Sequence, residues 1–289
     1  MSKLVHILES SQQRASWREH FDGLAGQSVP TLPLMKVMGE RLLERLDGLK
    51  FSPKRILDVG CGSGDHALEL RRRFPDAQVI AMDWSTAIAK KAAKNRSWWR
   101  PQYEVVVGDA THPPIQPQSV DLVFANFLMA YAEDVNELLI GLRGALKPGG
   151  LLLISGLGPD TLVRERQILG VDPTRWLDVQ RLGGVLTRAG FNEPVLDTDW
   201  MSLDYRESRV LDADLSHLGV WLEPEATSHR QALMDAVNQS LSAGTQQVWS
   251  TTWECLYGSA FAPDEGQTMK SDEGTLASIP IDQIGIRRR

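Results

Sequence analysis

The stretch ILDVGCGSGDHALEL, from Ile56 to Leu70, sets three glycines two apart between an apolar run and a helix-like run. Without Cβ atoms at Gly60, Gly62 and Gly64, the backbone can turn tightly and press against a ligand. The helix that follows offers unpaired N–H groups and the positive end of its dipole. A strand entering a helix through such a loop predicts alternating β and α units.

The first half of the chain continues that alternation. RILDVG, QVIAMD (78–83), YEVVVGD (103–109), DLVFAN (121–126) and LLLIS (151–155) are short apolar strand candidates. Their near-continuous apolar character fits a parallel sheet covered on both faces. Helices are expected over 64–74, from a Ser85 cap to Asn95, and from Asp134 to Leu146, the last stopping at a KPGG turn. Before them, Leu34, Val37, Met38, Leu42 and Leu46 recur at helical spacing. Residues 1–30 are polar and show no strong period. Downstream, 178–191 reads as helix, 194–205 as strand, 207–243 as helix broken at Pro224, and 247–261 as a last strand. The polar tail from Pro263 is expected to be flexible.

Charge narrows the function. A net charge of −6 argues against nucleic-acid binding, which needs a basic footprint. Cys61 and Cys255 make neither a disulfide scaffold nor a zinc site, and no metal is expected. No cleavable leader is visible, and LLLISGLG is too short to cross a bilayer, so a cytoplasmic chain with no membrane partner is expected.

The glycine loop differs from a dinucleotide fingerprint, because its third glycine comes one residue early and Asp58 precedes it. An acid there repels a pyrophosphate and attracts an ammonium group. Asp83 ends the second strand and suits a ribose diol. Asp109, beside Ala110, ends the third and suits an exocyclic adenine amine. An amine, a ribose and an adenine together describe S-adenosylmethionine.

The ordered set LDVGCGSG, MDWS, VVGDA, DLVFAN and LKPGG resembles the class I S-adenosylmethionine-dependent methyltransferases over about residues 53–156. The resemblance implies a Rossmann-like, mostly parallel seven-stranded α/β sheet with an antiparallel last strand. It implies cofactor contacts from Asp58, Gly60, Gly62, Gly64, Asp83, Asp109, Ala110 and Asn126. The expected organisation is a helical lid segment over 1–50, a methyltransferase domain over 51–262 with a helical insert at about 207–245, and a flexible tail over 263–289.

The second half is similar to the malonyl-(acyl-carrier protein) O-methyltransferases of biotin synthesis. GLGPDTLVRERQ (156–167), LTRAGFNEPVLDTD (186–199), LSHLGV and TTWECLYGSAF carry that likeness. It implies methylation of a free malonyl carboxylate on a carrier protein, or on malonyl-CoA, by a monomer. No general base stands out, and a carboxylate needs none because it is ionised at pH 7. Arg166 falls at the family's arginine position and is expected to hold the carboxylate, with Tyr131 and Trp176 lining the acceptor side. Lys90, Lys91, Lys94 and Arg96, or Arg71 to Arg73, offer a basic face to an acidic carrier protein. The front segment REHFDGLAGQSVP lacks the family's lid tyrosine, and Gln180 replaces a histidine. Two other readings stay open here: a related cofactor-fold protein that hydroxylates or assembles a partner protein, and a methyltransferase for another small carboxylate.

Overall fold

The computed structural model describes residues 15–25, 32–97, 99, 101–170, 176–222, 224–243, 247–264, 268–271 and 274–277. Seven strands form one sheet in the order β3-β2-β1-β4-β5-β7-β6. They are β1 (Arg55–Val59), β2 (Gln78–Asp83), β3 (Glu104–Val107), β4 (Val120–Ala125), β5 (Leu146–Leu157), β6 (Asn192–Tyr205) and β7 (Trp249–Phe261). β1 to β5 are parallel, and β7 runs antiparallel between β5 and β6. The expected sheet and its reversed last strand are both present.

Alternation within the strands divides the core. Ile56, Phe124 and Leu153 point to one face, where they meet Leu34, Met38 and Leu42 of α2 (Pro33–Glu44) and Leu70 of α3 (Asp65–Arg73). Leu57, Val123 and Leu152 point to the other, against Leu138 and Leu142 of α5 (Val135–Ala145) and Leu182 and Leu186 of α7 (Val179–Arg188). The apolar spacing read in 32–49 is therefore the buried stripe of α2. That helix is held to the far edge of the sheet by ion pairs from Arg41 to Asp199 and from Arg45 to Asp197, and Arg45 lies 4.1 Å over the Tyr257 ring.

Several expectations shift. Residues 15–25 are helical (α1), within the expected lid segment but more regular than its polar, weakly periodic sequence suggests. KPGG is not a turn ahead of β5 but part of it. Val120 pairs with Leu146 and Leu122 with Leu151, so the intervening residues bulge, with Gly149 at φ +69°. The insert divides at Pro224 as expected, into α8 (Ser208–His217) and α9 (Pro224–Ser242), with α4 (Thr86–Asn95) and α6 (Val163–Leu169) completing the helices used below. Part of the tail expected to be flexible forms a two-stranded ribbon, Thr268–Ser271 against Gly274–Ala277, separate from the main sheet.

Candidate functional site

The carboxyl ends of β1, β2, β3 and β4 open into one cavity of about 1150 Å³. Its floor is the glycine loop. Gly60, Gly62 and Gly64 all have positive φ, and Gly60 and Cys61 donate their N–H groups to the Met82 carbonyl. This answers why the sequence spends three glycines there: the loop is left-handed at each of them. Gly60 and Gly62 line the cavity, whereas Gly64 backs away from it against the Tyr103 hydroxyl. Gly64 thus packs behind the loop, not on its cavity face.

Asp83 stands at the centre. It is 6% exposed and lines the cavity. One carboxylate oxygen accepts from Gly62 N at 3.2 Å and the other from Ser85 N at 2.9 Å. Each oxygen keeps acceptor capacity for a hydroxyl of a ligand. Burial raises its pKa to about 6, against the lowering effect of those backbone donors. Asp109 also lines the cavity, and its Oδ1 accepts from Thr111 N and Thr111 Oγ1 at 2.9 and 2.8 Å. Ala110 sits beside it on the wall.

Asp58, on β1 just before the loop, does not line the cavity. It is 1% exposed, lies beneath the glycine loop instead of on the wall, and accepts from Ala67 N. Its Oδ2 has no hydrogen-bond partner. Burial, followed by the nearby Asp83, pushes its pKa up to about 8. A carboxyl raised in the fold favours its protonated form, so its contribution to stability is present at low pH and is lost as pH rises. The window runs from the unfolded value of about 4 to the folded value of about 8. Without ligand, the protein should lose stability from pH 5 to pH 8, by up to roughly 1.4 kcal/mol per pH unit from this group. Urea midpoints across that range check this, and Asp58→Asn should flatten the slope.

Asn126 lines the cavity, but its side chain is committed. Nδ2 donates to the Met35 carbonyl at 2.8 Å, and Oδ1 accepts from Ser155 Oγ at 2.8 Å. It ties α2 to β4 and β5. Tyr131 lines the cavity, on a short 3-10 turn after β4. Arg166 and Trp176 do not line the cavity. The Arg166 guanidinium donates to the Pro159 carbonyl and lies 5.6 Å from the Trp176 ring. The two residues lie together beside the GPDTL segment, away from the cavity wall where they were expected.

The first helix falls within the segment expected as a helical lid, but its wall residues were not singled out in the sequence. Trp17, Phe21, Leu24 and Ala25 face the cavity. Phe21 stacks on Trp17 at 5.8 Å and meets Tyr131 edge-on at 5.0 Å and Trp84 at 6.4 Å. Their i, i+4, i+7, i+8 spacing was the available signal. The lid lacks a tyrosine and closes with phenylalanine and tryptophan instead.

The cavity fits S-adenosylmethionine on its own terms. Carboxylates outnumber lysines and arginines along its wall, which suits a cationic ligand. Aromatic rings cover the top.

Residues 56–150 match the family described as a methyltransferase domain. The chain is similar to the malonyl-(acyl-carrier protein) O-methyltransferase of Xylella fastidiosa, with 36% identity over 264 residues, 86% of this chain and 88% of that protein. It is similar also to malonyl-(acyl-carrier protein) O-methyltransferase 1 of Coxiella burnetii, with 34% identity, covering 88% and 89% of the two chains. Among solved structures, the YcgJ protein of Bacillus subtilis has the same fold, at TM-score 0.59 and 13% identity, over 78% of this chain and 98% of that one. So does phosphoethanolamine N-methyltransferase 2 of Haemonchus contortus, solved with S-adenosylhomocysteine, at TM-score 0.53 and 19% identity, over 78% and 52%.

Proposed function

The chain belongs to the malonyl-(acyl-carrier protein) O-methyltransferase family, and from that premise we propose that it methylates the free carboxylate of a malonyl thioester on a carrier protein, with S-adenosylmethionine as donor. The product is a neutral methyl ester, an early intermediate of biotin synthesis made in the cytoplasm. What supports this acceptor is that the likeness runs through the substrate-side half as well as the cofactor half.

When bound, the cofactor supplies an electrophilic sulfonium methyl. Asp83 would hold the ribose, Asp109 and Ala110 the adenine side, and the loop from Gly60 to Ser63 the amino-acid end. The chain then has three tasks, which are to orient the acceptor, exclude water and avoid neutralising it. Phe127, Leu128 and Tyr131 form an apolar floor at the acceptor end, and Trp17 and Phe21 cover it. Attraction between a carboxylate and a sulfonium is stronger there than in water. Proton transfer is not needed, in keeping with the absence of an evident base in the sequence.

Arg166 acts on this reading through the segment it holds. Its bond to the Pro159 carbonyl fixes the GPDTL turn, which is clamped from the other side by Glu254, whose Oε2 accepts from Asp160 N at 2.7 Å. Arg166→Ala should lower kcat/KM for the acceptor about tenfold or more while S-adenosylhomocysteine affinity stays within twofold. Steady-state kinetics and calorimetry on the same preparation check this. Equal losses in both would assign Arg166 to folding instead.

A carrier protein would meet α4. That helix carries Lys90, Lys91 and Lys94 and no acid, and Lys91 lines the cavity. Incubating the purified protein with S-adenosylmethionine and either malonyl-carrier protein or malonyl-CoA tests the whole proposal. Methyl ester should form, with the carrier-protein reaction the more salt-sensitive. Ester formation on neither substrate, with cofactor bound, would overturn the acceptor.

A further inference from the structure

We infer that Asp22 is a positioning residue that couples closure of α1 to the grip of Asp83 on the cofactor. The inference rests on the cofactor half of the proposed function and is independent of the methyl acceptor.

Four groups form one hydrogen-bonded series. Ser85 Oγ donates to Asp22 Oδ1. The same hydroxyl accepts from Ile88 N at 3.1 Å, capping α4. Ser85 N donates to Asp83 Oδ1, and Asp83 Oδ2 accepts from Gly62 N. The series therefore runs from the lid through a helix cap to the central acid and on to the glycine loop. Ala87 N also donates to Asp22 Oδ1 at 3.4 Å, and Arg18 donates to the Trp84 carbonyl at 3.1 Å. Two charged side chains of one helix thus latch onto residues 84–87, directly behind Asp83.

The chemistry gives the latch its direction. A hydroxyl has one proton to donate. Ser85 is 0% exposed, one of its two lone pairs accepts from Ile88 N, and its proton goes to the Asp22 carboxylate, which can only accept. Lifting α1 would exchange that hydrogen bond to a charged acceptor for one to water, which is the weaker of the two. A closed lid and an ordered Asp83 loop are for that reason mutually supporting. By reciprocity, a ligand that orders Asp83 favours the closed lid to the same extent that the lid favours the ligand.

The test uses the full chain, S-adenosylhomocysteine as probe, and trypsin, which cuts at Arg18. In the native protein the probe should protect Arg18 from cleavage. Asp22→Ala should bind the probe roughly fivefold more weakly and remain cleavable at saturating probe. Asp22→Asn, whose amide oxygen still accepts from Ser85, should recover most of both. Glu19→Ala, exposed on the same helix, should change neither. If Asp22→Ala melts at a lower temperature but binds and protects like the native protein, Asp22 is only a helix tie and the inference fails. If the native protein does not bind the probe, the cofactor reading itself fails.

Discussion

Asp83→Ala should weaken S-adenosylmethionine binding about a hundredfold. Hydrogen bonds to a charged group contribute about 1.5–3 kcal/mol each, and a ribose diol would make two to this carboxylate. Taking about 3 kcal/mol in total gives two orders of magnitude in Kd. The backbone partners Gly62 and Ser85 would also lose their acceptor, loosening the loop. Because the unliganded carboxyl titrates at about 6, native affinity should also fall as pH drops through that value, and Asp83→Asn should remove that dependence. Calorimetry between pH 5 and 8 checks both. A change in Kd below threefold for Asp83→Ala would remove the acid from the cofactor site.

Gly64→Ala should destabilise the fold by about 3 kcal/mol, and Gly62→Ala by only about 1 kcal/mol. Both positions have positive φ, +87° and +54°, and a left-handed conformation costs an L residue about 1–2 kcal/mol. The surroundings differ. A Cβ on Gly62 meets nothing within 4 Å, whereas one on Gly64 would lie 2.2 Å from the Tyr103 hydroxyl oxygen. Tyr103 is 4% exposed, and its hydroxyl donates to the Ala92 carbonyl of α4 at 2.9 Å. Making room means pushing a buried ring off that helix, and overpacking of this kind costs about 1–3 kcal/mol. Urea denaturation of the two variants separates backbone strain from collision. Equal losses would show that the ring moves aside freely.

The cofactor half was legible because its chemistry demands residue types that leave marks. Glycine takes the left-handed conformation at least cost, so three of them close together leave a mark, and acids closing successive strands have few structural reasons to recur. Asp58 shows the limit of that logic: the sequence gives its strand position, but a strand side chain points to one of two faces, and here it points beneath the loop. The covering helix left a weaker mark. Within its described residues α1 has few contacts of its own and depends on Trp17, Phe21 and the latch at Ser85, all of them long-range contacts. Likewise, a motif can locate Arg166 on α6 without fixing which carbonyl its guanidinium turns toward.

Gly219, in the turn after α8, bears on how the acceptor mouth is shaped. A Cβ there would sit 2.2 Å from the Trp17 ring, and His20 of the same first helix contacts the His217 carbonyl at 3.3 Å. The opening segment and the late insert are therefore fitted to each other like the two jaws of a clasp. A descendant that reshapes the insert to admit a bulkier guest has to recut its first helix in step, while the nucleoside seat beneath can stay as it is.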